Sequence, residues 1–172
     1  HAMSGYSGGG RQMIEKFQSF SATQTDTLGV QSYAHAQQHK HLPEMLSYSG
    51  TAVPPIFTPS VANYYKGMLV EIPLFATELN NASPGQVHEV LRQRYAQDPF
   101  INVASLGADE LMENGFLNPT GCNNSNRMDL MVLGDAQRII LCARYDNLGK
   151  GAAGAAVQNL NIMLGIEESL GL

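Results

Sequence analysis

Basic charge, cysteine and long apolar runs are all scarce in these 172 residues. Lysine and arginine total 10 against 15 acidic side chains, a net charge of −5 with no basic run. That balance argues against a nucleic-acid surface. No apolar segment approaches the ~20 residues that span a bilayer, and no signal-peptide pattern opens the chain, so no membrane partner is expected. The two cysteines, Cys122 and Cys142, form no disulfide framework. This fits a reducing cytoplasm, and both are expected to be packed residues rather than reagents. A hydrophobic content of 44% is ordinary for a globular core, and the length suits one domain over residues 1–172. The chain opens His1-Ala2-Met3 and meets a glycine cluster with no preceding strand, as expected of a piece of a longer protein.

Against that background one stretch stands out: His39-Lys40-His41-Leu42-Pro43-Glu44, with Tyr33 six residues ahead. Histidine is the side chain that titrates near neutral pH unperturbed, so two within three residues suggest proton transfer or a metal. Pro43 suits the start of a helix, and the segment up to His41 is expected to be extended, with His39 and His41 pointing the same way. A metal site built from His35, His39 and His41 lacks an evident fourth ligand. No metal is expected.

Before it, Ser4-Gly5-Tyr6-Ser7-Gly8-Gly9-Gly10-Arg11 leads into a helix near 11–20. A glycine-rich turn opening a helix lets backbone N–H groups approach an anion, and Arg11 adds a fixed charge. The same turn satisfies the nucleophile-elbow pattern G-x-S-x-G, but the α/β alternation that pattern requires does not follow. Residues 21–32 read as a polar loop and 31–38 as extended. A short helix over 43–49 ends at Gly50, and Val53–Val61, with three prolines, reads as an edge strand or irregular crossing. Met68–Phe75 reads as a strand. Ser83-Pro84-Gly85-Gln86 is a capping box opening a helix to about Gln97, buried through Val87, Val90, Leu91 and Tyr95. A strand over 100–104 and a hairpin from 127–133 and 138–143 follow.

The last element, 148–164, is a helix with glycine at 149, 151 and 154. Each glycine costs a helix about 1 kcal/mol against alanine, so something must pack very close. Its stripe of Val157, Leu160, Met163 and Leu164 reads as core. Gly149–Gly154 also fits G-x-G-x-x-G, but too few residues follow for a second parallel strand and a ribose-binding acid. The irregular alternation predicts α+β: a mixed or antiparallel sheet with helices on one face.

Three segments, Ser4–Arg11, His39–Glu44 and Asp146–Asn159, in this order and together with Pro55–Val61, resemble the shorter type of N-acetyl-γ-glutamyl-phosphate reductase of arginine biosynthesis. The resemblance implies a two-domain enzyme in which an N-terminal Rossmann domain carries NADP (as NADPH) and a catalytic cysteine. The second domain, similar to that of glyceraldehyde-3-phosphate dehydrogenase, supplies the histidine and the substrate pocket. This chain is similar to that second domain, with the helix 148–164 packing back on the first. The family's cysteine motif is absent; Asn118-Pro119-Thr120-Gly121-Cys122 lies after the histidines, so the nucleophile is not carried onto Cys122. By motif match His39, with His41 as the second candidate, is the catalytic acid–base. Arg11, Tyr33 and Glu44 are substrate-binding; Ser4, Gly5, Asn147 and Lys150 face the cofactor. A small acyl-phosphate substrate, a homodimer or homotetramer and cytoplasmic location follow from the resemblance. The alternative is a non-catalytic binding or assembly module that keeps the fold.

Overall fold

The computed structural model describes residues 1–20 and 29–172, so the prediction for 21–28 lies outside the described residues. In the order β2-β3-β1-β4-β9-β8-β5, seven strands form one mixed sheet. They are β1 Ala2–Gly5, β2 Val30–Ser32, β3 Pro59–Ala62, β4 Met68–Phe75, β5 Ile101–Val103, β8 Met128–Gly134 and β9 Arg138–Tyr145. A separate small hairpin joins β6, Met112–Glu113, to β7, Phe116–Leu117. The α-helices are α1 Gly10–Gln18, α2 Leu42–Ser49, α3 Pro84–Arg94 and α4 Gly154–Leu164.

Strand register sorts the side chains into two faces, because directly paired residues project the same way. Ala2 opposes Val70, and both cluster with Leu42 and Met45 of α2 and with Phe57. Phe17 of α1 covers Val61 on the same face. The other face carries Leu69, Met131 and Cys142, covered by Ala104, Ala108, Leu111 and Leu117. The expected mixed α+β sheet is therefore present, with α1 and α2 over one face.

Several local expectations change. Val53–Val61, read as an edge strand or irregular crossing, crosses irregularly through Thr58, but Pro59 then opens β3, which lies inside the sheet between β2 and β1. Proline at a strand's first residue removes no ladder bond. The approach to the histidines is extended only through Ser32. Ala34 and Gln37 then take left-handed φ of 58° and 55°. His41 is helical (φ −81°, ψ −13°) at the N-cap of α2, because the residue that proline restricts is its immediate neighbour, Leu42. Helix α3 has its capping box, yet no residue in it is buried and Val90 is exposed. The stripe on α4 is not core either: Leu160 is 53% exposed and Met163 83%.

The glycines before α4 have a local explanation. A Cβ on Gly149 would stand 2.8 Å from the Ser125 carbonyl, and one on Gly154 would stand 2.3 Å from Asn126 Oδ1. The close neighbour is the chain's own 125–126 segment. Residues 149–153 form a π-turn rather than α-helix.

Beneath the other sheet face lies a buried ionic knot. Asp129, fully buried, accepts from Arg144 Nη2 at 2.7 Å, Asn102 Nδ2 at 2.9 Å and the Cys122 thiol at 3.0 Å. Arg127 closes the other side at 3.1 Å. Burial alone would raise the Asp129 carboxyl, but its donors, Asn102 first, hold it below the ordinary range. Cys142 is pushed up to about 12, chiefly by burial. Both cysteines are buried thiols, as expected.

Candidate active site

Two polar clusters stand at opposite ends of β1, whose four residues span about 10 Å by strand rise. At its C-terminal end the chain makes the glycine turn. Gly5 N–H donates to Gly67 O at 3.0 Å, and the next two amides donate to the carbonyls of Tyr64 and Tyr65. A Cβ on Gly5 would lie 2.6–2.7 Å from three backbone atoms of Tyr64–Lys66. Gly5→Ala is therefore expected to cost about 1–3 kcal/mol by forcing two backbones apart. A urea midpoint within error of the wild type would refute that.

Asn147 ties this turn to the rest. Its Oδ1 accepts from Gly67 N–H at 2.8 Å, and its Nδ2 donates to Ser7 Oγ at 3.0 Å. Asp146 fixes the backbone beside it, accepting from Lys66 at 2.9 Å and from the amides of Asn124, Leu148 and Gly149. Ser4 and Asn147 both border Gly8, whose Cβ would stand 2.8 Å from Ser4 Oγ. Ser4, Gly5 and Asn147 are thus brought together, and Asn147 keeps one amide hydrogen unspent by these bonds. A free N–H beside a glycine turn suits an acceptor oxygen of a bound molecule. Lys150 lies apart. It donates to Gln158 and stands 5.6 Å from the Phe100 ring centroid, and burial lowers its ammonium.

The histidine loop occupies the other end. Tyr33 N–H donates to Pro59 O at 3.0 Å, after which the loop leaves the sheet until Leu42 is buried against Ala2 and Phe57. Within it the rings converge. His39 stands 4.7 Å from His41, 5.1 Å from Phe57 and 5.8 Å from Tyr33, centroid to centroid. The His41 backbone N–H donates to His39 Nδ1 at 3.2 Å. With Nδ1 accepting, neutral His39 carries its proton on Nε2. Burial, then the nearby charges of His41 and Lys40, push its pKa below the ordinary 6.5.

A depressed base binds fewer protons folded than unfolded. Its contribution to stability is present above the unfolded pKa and is lost as pH falls through about 6.5 toward the folded value. His39 is expected to titrate below the ordinary 6.5 in an NMR titration, and a His39 midpoint at or above 6.5 would contradict the geometry.

An open hollow of about 580 Å³ lies beside this loop, bordered by His39, Lys40, Pro43, Leu46 and Pro55. Neither Arg11 nor Glu44 borders it. Arg11 is exposed and pairs with Glu15 at 2.6 Å, and Glu44 lies in the first turn of α2, where a carboxylate complements the helix dipole. Among the described residues no three His, Cys, Asp or Glu side chains gather as a metal site. Sequence reasoning missed Gln37, whose side-chain amide bonds both backbone groups of Phe57. It missed the Lys66–Asp146 pair as well. Both depend on partners tens of residues away, and no local pattern announces them.

Comparison with known proteins adds the lineage. The chain is 44% identical to an N-acetyl-gamma-glutamyl-phosphate reductase 2 of Nostoc sp., over all of this chain and 56% of that protein. It is 39% identical to an N-acetyl-gamma-glutamyl-phosphate reductase of Burkholderia lata, over 96% of this chain and 52% of that one. The chain thus spans about half the length of the curated relatives it matches. Among solved structures, aspartate semialdehyde dehydrogenase II from Vibrio cholerae, complexed with ASA, shares the fold. The TM-score is 0.60 at 16% identity, covering 95% of this chain and 54% of that one. Residues 1–147 match the family model described as the dimerisation domain of semialdehyde dehydrogenase, and the chain belongs to that family.

Proposed function

We propose that the chain is the substrate and oligomerisation domain of an NADP-dependent N-acetyl-γ-glutamyl-phosphate reductase. On this reading the parent protein converts N-acetyl-glutamyl 5-phosphate to N-acetyl-glutamate 5-semialdehyde and phosphate. The identities of 44% and 39% to reductases of that name support it. The observation that carries it within the molecule is the His39–His41 pair, with one imidazole held neutral and its Nε2 proton unspent by the His41 bond.

The chemistry follows from those residues. A thiolate on the parent's N-terminal Rossmann domain attacks the acyl carbon, and phosphate leaves. NADPH, bound mainly by that domain, supplies the hydride that reduces the resulting thioester. His39 directs its Nε2–H as a hydrogen-bond donor to the carbonyl oxygen as negative charge develops there, and to the thiolate that departs afterwards. His41 orients His39 through its backbone amide and stands as the alternative acid–base. Tyr33 binds the substrate beside His39, and Glu44 and Arg11, which do not border the hollow, are assigned to the substrate on the motif resemblance alone. Arg11 is free to bind it because an exposed ion pair such as Arg11–Glu15 holds by well under about 1 kcal/mol. Ser4, Gly5 and Asn147 hold the nicotinamide end of the cofactor, with Lys150 further along. The exposed apolar stripe of α4 packs on the Rossmann domain. The assembled enzyme is a cytoplasmic homodimer or homotetramer.

The parent protein, assayed with N-acetylglutamate semialdehyde, NADP and phosphate, should form NADPH only when phosphate is present. Absence of turnover, or turnover independent of phosphate, would remove the proposal.

A further inference from the structure

Between Ser32 and Leu42 the histidine loop makes little regular backbone pairing, and two of its residues are in left-handed conformations. Beyond the Tyr33 N–H bond to Pro59 O, what ties it to the neighbouring segment is one side chain. Gln37 Nε2 donates to Phe57 O at 2.9 Å, and Gln37 Oε1 accepts from Phe57 N–H at 2.8 Å. The amide copies the two-bond exchange of an antiparallel pair, although Phe57 lies in an irregular, proline-flanked crossing. Phe57 is 8% exposed, set between Leu42 and Ala2, and its ring meets His39 nearly edge-on at 71°. The histidine ring thus rests on a side chain whose own backbone is gripped from the histidine's loop.

We infer that Gln37 is a positioning residue for His39. Its clamp on Phe57 holds the imidazole in the orientation that lets Nδ1 accept from His41 and leaves the proton on Nε2. The functional consequence rests on the acid–base role proposed for His39. Only a carboxamide of this length makes both bonds, since asparagine is one methylene short and glutamate cannot donate to the Phe57 carbonyl.

The test uses the parent protein with ¹⁵N-labelled histidine and two variants. Gln37→Met keeps length and bulk without either bond. Gln37→Glu keeps the acceptor but sets a carboxylate against a carbonyl. Both should lower kcat about 10- to 100-fold with KM changed far less. Both should turn His39 from a single Nε2–H tautomer into a mixture, and move its titration, set by burial, His41 and Lys40, back toward 6.5. A His39 tautomer and midpoint unchanged in both variants would overturn the inference. If the wild type shows no reductase turnover, the reductase proposal fails alone, and the nitrogen spectra still decide the role of Gln37.

Discussion

Asp129→Ala is expected to destabilise the domain by about 3–5 kcal/mol, enough to leave much of it unfolded at 37 °C. The carboxylate has no exposed surface and is shared by Arg144, Arg127, Asn102 and Cys122. Removing it leaves the Arg144 guanidinium, itself 4% exposed, buried beside a second cation with no counter-charge. The damage would spread through the 118–126 segment. Arg144 also donates to Asn118 O at 3.2 Å, and a Cβ on Gly121 would stand 2.6 Å from its guanidinium carbon. That segment supplies Asn123, which donates to Lys66 O at 2.8 Å beside the turn that Asn147 holds. Because the Asp129 carboxyl is held below its ordinary value, its contribution is present above the unfolded pKa near 4. It fades as pH falls through the folded value. Urea unfolding of wild type and variant at pH 7 measures the loss. A difference below about 1 kcal/mol would mean that the knot is incidental.

His39→Asn is expected to lower turnover of the parent enzyme by about 10²–10⁴-fold while leaving the fold intact. His39 is half-buried on the rim of the hollow, outside the three hydrophobic clusters, so truncation costs little packing. What is lost is the proton on Nε2. His41→Asn should be milder. Its ring neighbours His39 at 4.7 Å, but the bond that sets the tautomer comes from its backbone, which the substitution keeps. A larger loss from His41→Asn than from His39→Asn would exchange their roles, and no loss from either would remove the acid–base assignment.

The elements that were legible from sequence are those whose signals are local. The largely apolar run over 68–75, the Ser83 capping box, and the alternating or apolar runs around Gly134-Asp135-Ala136 yield β4, the start of α3 and the β8–β9 hairpin nearly residue for residue. What failed depended on distant partners. Pro59 reads as an edge residue because its sequence does not reveal that β1 and β2 lie on either side of its strand. The apolar stripe of α4 reads as core because periodicity reports that a face must be covered, not by which segment. The histidine pair was legible as chemistry, whereas its support was not, since Gln37 and Phe57 are twenty residues apart. The close packing that the glycines at 149 and 154 imply is met within the chain by Ser125 and Asn126, which no local pattern names.

Rapid mixing of the parent enzyme with N-acetylglutamyl phosphate, following phosphate release in the first turnover, tests the shared site most directly. On the proposed function, in which His39 supports a thiolate carried on the other half of the protein, wild type should release phosphate in a burst as the thioester forms. His39→Asn should slow that burst by about 10²-fold or more. A burst of the same rate and amplitude in both would show that the imidazole of this domain takes no part in the chemistry.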